Sequence, residues 1–569
     1  MRVALLTCCF FSLFTIRAFS QQWAWAQHTT GTDMVQVQAV AADAFGNVYT
    51  AGCVTRVSNS TGPYTLSAGS QTYTRPASAG GFSYLIKYNG AGQALWIRTM
   101  DWVSKILMAT DAAGNVFMAG QFNSSTLKLG NITVNMNGAT SWAESPFLAK
   151  FDSSGSAIWA RVPQLGNTLQ MNLCEGRADA LTTDNLGNVI FTGNYKASSI
   201  SFDGKTLNNS FSTPSAYRSN AFIVKYNSSG AVQWAQQVAG SNWQIGCAGA
   251  ATDAAGNVLI GGKFFAGTIS LGSFSLSNHD SNSMDVFVAK LSPAGTFLWA
   301  NRAGGNYYDV LNGAATDAAG NLYICGHTQS NPANFDAFTT HMKGGSIASD
   351  IFLAKYDNVT GACRWVRSEG GSCVDNAGSV VTFGNDHVYL AGSMGSGNTH
   401  TSTFGSFTVP NPNNFIVQYD TAGTALCVHA YDPEAPYEMN IATTIQDQLY
   451  VLGSYNVSNY SLGSSQLPLS GTSEMYLGKY TCGTVNHIMT ASTGGPAIYP
   501  NPASDAVQID GLSADTDYRL LNAMGAVVRE GHLRPGGSSL SLKDVPPGLY
   551  LLTLHGEDGN RFAHRLIKQ

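Results

Sequence analysis

Charge is scarce in this chain. Only 11% of its 569 residues are Asp, Glu, Lys or Arg, about half the usual share. The balance is −5, and no basic stripe stands out, so nothing predicts affinity for nucleic acid. Long apolar runs are missing beyond the first twenty residues, so no later segment suits a membrane-spanning helix. There is no Cys-x-x-Cys spacing, which argues against a zinc cluster. His-Glu-x-x-His, Gly-x-Ser-x-Gly and Walker sequences are also lacking, and the eleven His are scattered. No catalytic residue, cofactor or metal is therefore expected from motifs.

What is present points outward. Arg2, the apolar run Val3 to Ile16 and Ala18-Phe19-Ser20 have the charge, length and small-x-small ending of a secretory leader. Residues 1–20 are read as a signal peptide, with the mature chain starting at Gln21. Cys8 and Cys9 leave with it. Eight cysteines stay, of which Cys363 and Cys373 are the nearest pair. Export permits disulfides there, and buried single thiols are the equal alternative.

The mature chain is built on a recurring phrase. Ala-Thr-Asp-Ala-Ala-Gly-Asn occurs at Ala109–Asn115, Ala251–Asn257 and Ala315–Asn321, with looser copies at Ala41–Asn47 and Thr182–Asn188. Each is followed by a β-branched or aromatic run closed by a glycine: Gly52, Gly120, Gly193, Gly261 and Gly326. Worn copies place Phe383 and Thr444 where the others have Asp43, Asp111, Asp184, Asp253 and Asp317. The spacing is 61 to 73 residues. A small-residue strand, a Gly-Asn turn and an aromatic strand make a tight hairpin, and the Asp can cap its turn. One carboxylate per unit is too few for a hard cation.

A second phrase alternates with the first. It carries Lys87, Lys150, Lys225, Lys290, Lys355 or Lys479, then Gly, then Trp96, Trp159, Trp234, Trp299 or Trp365. The sixth unit has Gln418 and Cys427 instead. Each unit thus supplies four strands, and seven such units predict a β-propeller. The seventh stops after its Lys strand, and the missing Trp strand stands at the other end as Trp23-Ala24-Trp25-Ala26. Pairing the two would close the ring and leave no interior edge. The repeated Lys is expected to lay its stem on apolar neighbours and pair with the repeated Asp. The Trp residues are expected to pack the rim.

These phrases resemble the seven-bladed β-propeller repeat family of exported bacterial proteins, over Gln21 to about Gly483. That resemblance implies a fold and hardly a function. After a polar linker, 484–496, the segment 497–569 alternates short apolar runs with Gly and Pro turns, as in a small antiparallel β-sandwich. Tyr499, Pro500, Asn501, Pro502, Gly548, Tyr550 and Lys568 make it similar to the type A C-terminal sorting domain of type IX secretion. The similarity implies recognition by that machinery and delivery outside the cell.

The overall expectation is all-β. Residues 1–20 are a leader, 21–483 a seven-bladed propeller of four-stranded blades closed by the N-terminal strand, and 497–569 a sandwich. Long inserts and crossovers share the face opposite the tight turns. Trp102, Trp243, Tyr307, Tyr308, Tyr431 and Tyr437 fall on those crossovers and are the candidate contacts for a glycan or protein ligand. Asp432, Glu434 and Glu438 form an acidic crossover, read as a solvated loop in preference to a Ca²⁺ site. Asp420-Thr421-Ala422 resembles the O-glycosylation signal of bacteria that use type IX export, and equally suits a turn. The expected role is a non-enzymatic binding or display module. The competing one is a polysaccharide-active enzyme, because carboxylate pairs for glycoside cleavage have no sequence spacing.

Overall fold

A computed structural model describes residues 22–568 apart from 57–60, 137–143, 167–175, 210–217, 241–243, 266, 281, 345–347, 385, 396–400, 411–413, 432–438, 444–447, 459, 463–464, 482–495, 500–502, 523–526, 547 and 557–560. The expected leader and all but the last residue of the expected linker lie outside these. Contacts divide the chain into two units, one spanning Ser20–Cys482 and the other containing Gly483–Gln569.

The first unit is a ring of seven antiparallel blades. Blade 4 is representative: Ile245–Thr252 innermost, then Val258–Phe265, Met284–Leu291 and Phe297–Gly305. The inner strands of blades 1 to 7 are Met34–Ala42, Lys105–Thr110, Gly176–Thr183, Ile245–Thr252, Asp309–Thr316, Asn376–Phe383 and Met439–Thr443. Each packs beside the next, and the last packs beside the first. Small side chains permit that crowding.

The repeated Asp makes the first hairpin. In blade 1 the Asp43 carboxylate accepts the N–H groups of Phe45 (3.0 Å) and Asn47 (2.8 Å). Gly46 supplies the positive φ, 81°, which only glycine adopts cheaply. The second carboxylate oxygen faces the Lys of the same blade. Lys225 reaches Asp184 at 2.9 Å and Lys290 reaches Asp253 at 2.9 Å, all four nearly buried. The lysines are therefore structural cations. The row of aspartates is occupied by turns and lysines, and among the described residues no cluster of His, Cys, Asp and Glu could hold a metal.

Two kinds of contact recur between successive blades. The Trp234 indole donates to Pro293 O (2.9 Å) and lies against Gly295 of the following blade, where a Cβ would come within 2.7 Å of the ring. Trp159 and Trp365 do likewise with Ser228 O and Thr421 O. Nearer the axis, the Thr of each repeated phrase donates to the preceding blade: Thr110 to Ala42 O, Thr183 to Thr110 O, Thr252 to Thr183 O, Thr316 to Thr252 O and Thr382 to Thr316 O, at 2.6 to 2.8 Å.

The N-terminal strand Gln22–Gly31 is the outer strand of blade 7, paired with Glu474–Thr481 in the register Trp25↔Lys479. Its indole donates to Gly90 O of blade 1 at 3.2 Å, so the same stitch crosses the seam. Blade 6 lacks the Asp, Lys and Trp together, having Phe383, Gln418 and Cys427. A buried Lys without its carboxylate would be an uncompensated charge; blade 6 drops both, while blade 7, with Thr444 at the Asp position, keeps a Lys479 that is only partly buried. Asp420-Thr421-Ala422 is the second turn of this blade, with the Asp420 carboxylate accepting from Ala422 N (3.0 Å) and Thr424 N (2.7 Å).

Two details differ from expectation. First, the inserts hold hairpins that dock on the outer edge of the preceding blade. Thr268–Leu271 pairs with Val232–Gly240, and Ala333–Phe335 with Phe297–Gly305. This covers edges that four-stranded blades would leave open. Second, the closing glycine of blade 4 is Gly262, not Gly261. It sits opposite Phe287 as Gly193 sits opposite Phe222, and a Cβ there would meet Gly246 O at 2.1 Å. The doubled glycine concealed the register. Of the cysteines, whose pairing the sequence leaves open, Cys247, Cys325, Cys363 and Cys373 are free thiols. Cys427 is disulfide-bonded, so its partner lies outside the described residues.

The second unit contains two sheets. One holds Ala497–Tyr499, Ala506–Leu512 and Gly536–Ser541; the other holds Val527–Leu533, Thr516–Asn522, Gly548–Gly556 and Arg561–Lys568. Val507, Ile509, Leu540, Leu520, Leu552 and Leu566 meet in a single core. Alternating apolar residues of the two sheets make the sandwich.

Candidate binding site

The inner strands are not regular. Their pairing with the second strands shifts between Val37 and Ala39, Ala178 and Ala180, Gly246 and Gly249, Leu311 and Gly313, and Ala377 and Ser379. Each shift is a β-bulge, which re-aims a side chain out of the pleat. The extra residues include Gln38, Asp179, Ala248, Asn312 and Gly378. Blade 2 has one residue fewer before Asp111 and pairs without a shift. The bulged residues line axial cavities, the largest about 700 Å³ and walled by Gln36, Gln38, Lys105, Asp179, Asn312 and Ser454 among others. The walls are the starts of inner strands and the ends of second strands, so this cavity belongs to the face that carries the crossovers.

An adjoining cavity of about 350 Å³ spans blades 2 to 5 and includes Lys105, Arg177, Asp179, Lys196 and Lys263. The Asp179 carboxylate accepts from Asn194 Nδ2 (3.0 Å) and the Cys247 N–H (3.2 Å). Lys105 Nζ donates to Ala178 O at 2.9 Å, and Arg177 pairs with Glu144 at 3.2 Å. Burial holds Lys263 below the usual lysine range; the charge of Asp179 works against this and that of Lys105 with it. Burial also lowers His327, whose Nδ1 donates to Asn376 Oδ1 at 3.0 Å, and the nearby Lys263 adds to the effect.

The aromatic candidates stand elsewhere on the same face. Trp102 is 38% exposed on the link leading into Lys105–Thr110. Tyr307 and Tyr308 are 56% and 43% exposed on the link into Asp309–Thr316. The Tyr308 ring stacks on Phe265 at 5.9 Å. None of the three lines an axial cavity. Trp243, Tyr437 and the acidic crossover lie outside the described residues, as does the side chain of Tyr431. Sequence reasoning missed the cavity residues. Their only local signal is a polar residue at one position of an Ala/Gly strand (Gln38, Asp179, Asn312) or just after the closing glycine (Gln121, Asn194, Lys263).

In the tail, Tyr550 is buried and donates to Pro546 O at 2.8 Å. Gly548 faces Lys568 across two paired strands. Tyr499 is half exposed and donates to the Asp510 carboxylate. Pro500, Asn501 and Pro502 lie outside the described residues. Residues 497–569 match the secretion system C-terminal sorting domain. The sorting domain directs the chain through type IX secretion to the cell surface or beyond it, and is its handle for that machinery.

The propeller has more distant likenesses. Over 370 residues, 55% of this chain, it is 22% identical to an uncharacterised WD repeat-containing protein of Acanthamoeba polyphaga mimivirus. The match spans 26% of that protein's length. PorZ, an essential surface component of the type IX system of Porphyromonas gingivalis, is 10% identical with a TM-score of 0.29, over 94% of this chain and 82% of that one. The Dos1 propeller is 8% identical with a TM-score of 0.38, over 82% and 96%. Likeness at this level says nothing of ligand or activity.

Proposed function

We propose that this exported propeller is a binding module, delivered behind a cleaved leader at 1–20, that takes a glycan or protein ligand on its crossover face. One observation carries the reading. The axis is open on that face, and bulges in the inner strands turn polar side chains into the opening. A ring needing only stability would fill that space with the Ala, Gly and Val that surround it. Trp102, Tyr307 and Tyr308 extend the surface outward as rigid, half-apolar contacts. The sorting domain delivers the ring to where such ligands are met.

The reading of a polysaccharide-active enzyme has no observation in its favour. Among the described residues, the largest axial cavity has one carboxylate in its wall, Asp179, whereas glycoside cleavage ordinarily uses two. The test is a glycan array with the mature chain, paired with an assay for reducing-end release. Binding without release supports the module. Release that the Asp179→Asn variant abolishes overturns it in favour of the enzyme.

A further inference from the structure

The cavity spanning blades 2 to 5 has an excess of positive charge in a chain that is otherwise acidic. Lys105, Arg177, Lys196 and Lys263 line it, against the single carboxylate of Asp179. Outside the cavity wall, Glu144 is committed to Arg177. Asp179 is held by the neutral donors Asn194 and Cys247 N–H rather than by a lysine at contact distance. Lys263 therefore has no hydrogen bond or ion pair among the described residues, although much of its stem and head is withdrawn from water. An ammonium kept this way has lost hydration and has only the charge of Asp179, without a direct contact, in return. Such an arrangement is costly in isolation and favourable once an anion enters.

We propose that this cavity is an anionic subsite that receives one acidic sugar unit, through a carboxylate or sulfate group held by Lys263 and Arg177. Lys263 supplies the point charge, and Arg177, half exposed and already paired with Glu144, adds a second cation in the same wall whose planar group suits either anion. The side chains of Gln121, Asn194 and Asn312, in the same walls, match sugar hydroxyls. The volume, about 350 Å³, fits a single ring rather than a polymer segment, so the rest of a chain would run out over the crossover face. The inference rests on the binding-module reading and deepens it.

The test is titration calorimetry on the full mature chain with four probes: trigalacturonate, a sulfated trisaccharide, maltotriose and inorganic sulfate. A charged trisaccharide is expected to bind, more weakly as salt rises, while maltotriose and inorganic sulfate bind far less. Lys263→Met keeps the stem and removes the charge. It is expected to weaken binding by about tenfold or more while leaving the melting temperature unchanged or raised. Arg177→Gln should weaken it similarly. Equal affinity for maltotriose, with Lys263→Met silent and Trp102→Ala damaging, overturns the anionic subsite and leaves the binding module standing. Sulfate binding as tightly as the trisaccharides overturns the sugar assignment. No binding of any charged probe at millimolar concentration overturns the inference outright.

Discussion

Trp25 lies directly across from Lys479 in the last blade, the place that Trp96 holds opposite Lys87 and Trp234 holds opposite Lys225. The first and last strands of the propeller are thus one repeat unit cut in two. Trp25 also stitches forward, its indole donating to Gly90 O and lying on Gly92, whose φ is 84°. Trp25→Ala should cost about 3–5 kcal/mol in urea unfolding of the mature chain. A loss below about 1 kcal/mol would show that the seam does not depend on this contact.

The buried pair Lys225–Asp184 gives a second test. Burial tends to raise the Asp184 carboxyl, but hydrogen bonds from Asn188 and Lys225 outweigh it and hold the group below the usual range. Asp184→Asn preserves an oxygen for the turn and removes only the charge. It should cost about 3 kcal/mol or more by stranding the Lys225 ammonium. Adding Lys225→Met should recover most of the loss. A double variant no better than the single one would contradict this.

Acid should loosen the seam locally. His429 packs against Trp23 and Tyr480, with ring centroids at 6.0 and 5.2 Å, and burial pushes it down to about 4. An unfolded His titrates near 6.5. The neutral folded form is therefore stabilising above that pH, and the contribution, on the order of 3 kcal/mol, is lost as pH falls from about 6.5 to 4. Asp309 and Asp350 have the opposite sign. Burial raises both to about 6, so they gain stability on acidification and mask the effect in a global melt. Hydrogen exchange of Gln22–Gly31, corrected for intrinsic rates, should show protection falling over this window, and His429→Phe should abolish the dependence. Protection that is flat with pH in the parent chain would refute the assignment.

Much of the ring could be read in the sequence because its interactions are local and repeated. The Asp-Gly-Asn turn and the Lys opposite Trp each lie within one unit, and five full copies make the pattern plain. Closure was legible because the deficit at one end matched the surplus at the other. The cavity was not, because Lys105, Arg177 and Lys263 come from three blades and meet only once the ring exists. Nor were the bulges, since one extra residue in an Ala/Gly strand leaves no trace in composition. Aromatics on crossovers are conspicuous in sequence, and so Tyr307 and Tyr308 drew attention that the polar walls did not.

Thiol chemistry offers a further check. Without reductant, the unfolded mature chain should alkylate at Cys247, Cys325, Cys363 and Cys373, while the Cys427 peptide becomes labelled only after reduction. Peptide mapping that finds Cys363 joined to Cys373 would contradict the arrangement in blade 5.

The closed ring itself is tested most directly by removing its last piece and returning it. A mature chain lacking Gln22–Gly31 leaves the Glu474–Thr481 edge unpaired and should melt well below the full chain. A synthetic peptide of Gln22–Gly31 should bind it saturably and restore the melting temperature, and the same peptide with Trp25→Ala should not. A truncated chain that melts with the full one, unaffected by the peptide, would contradict the account.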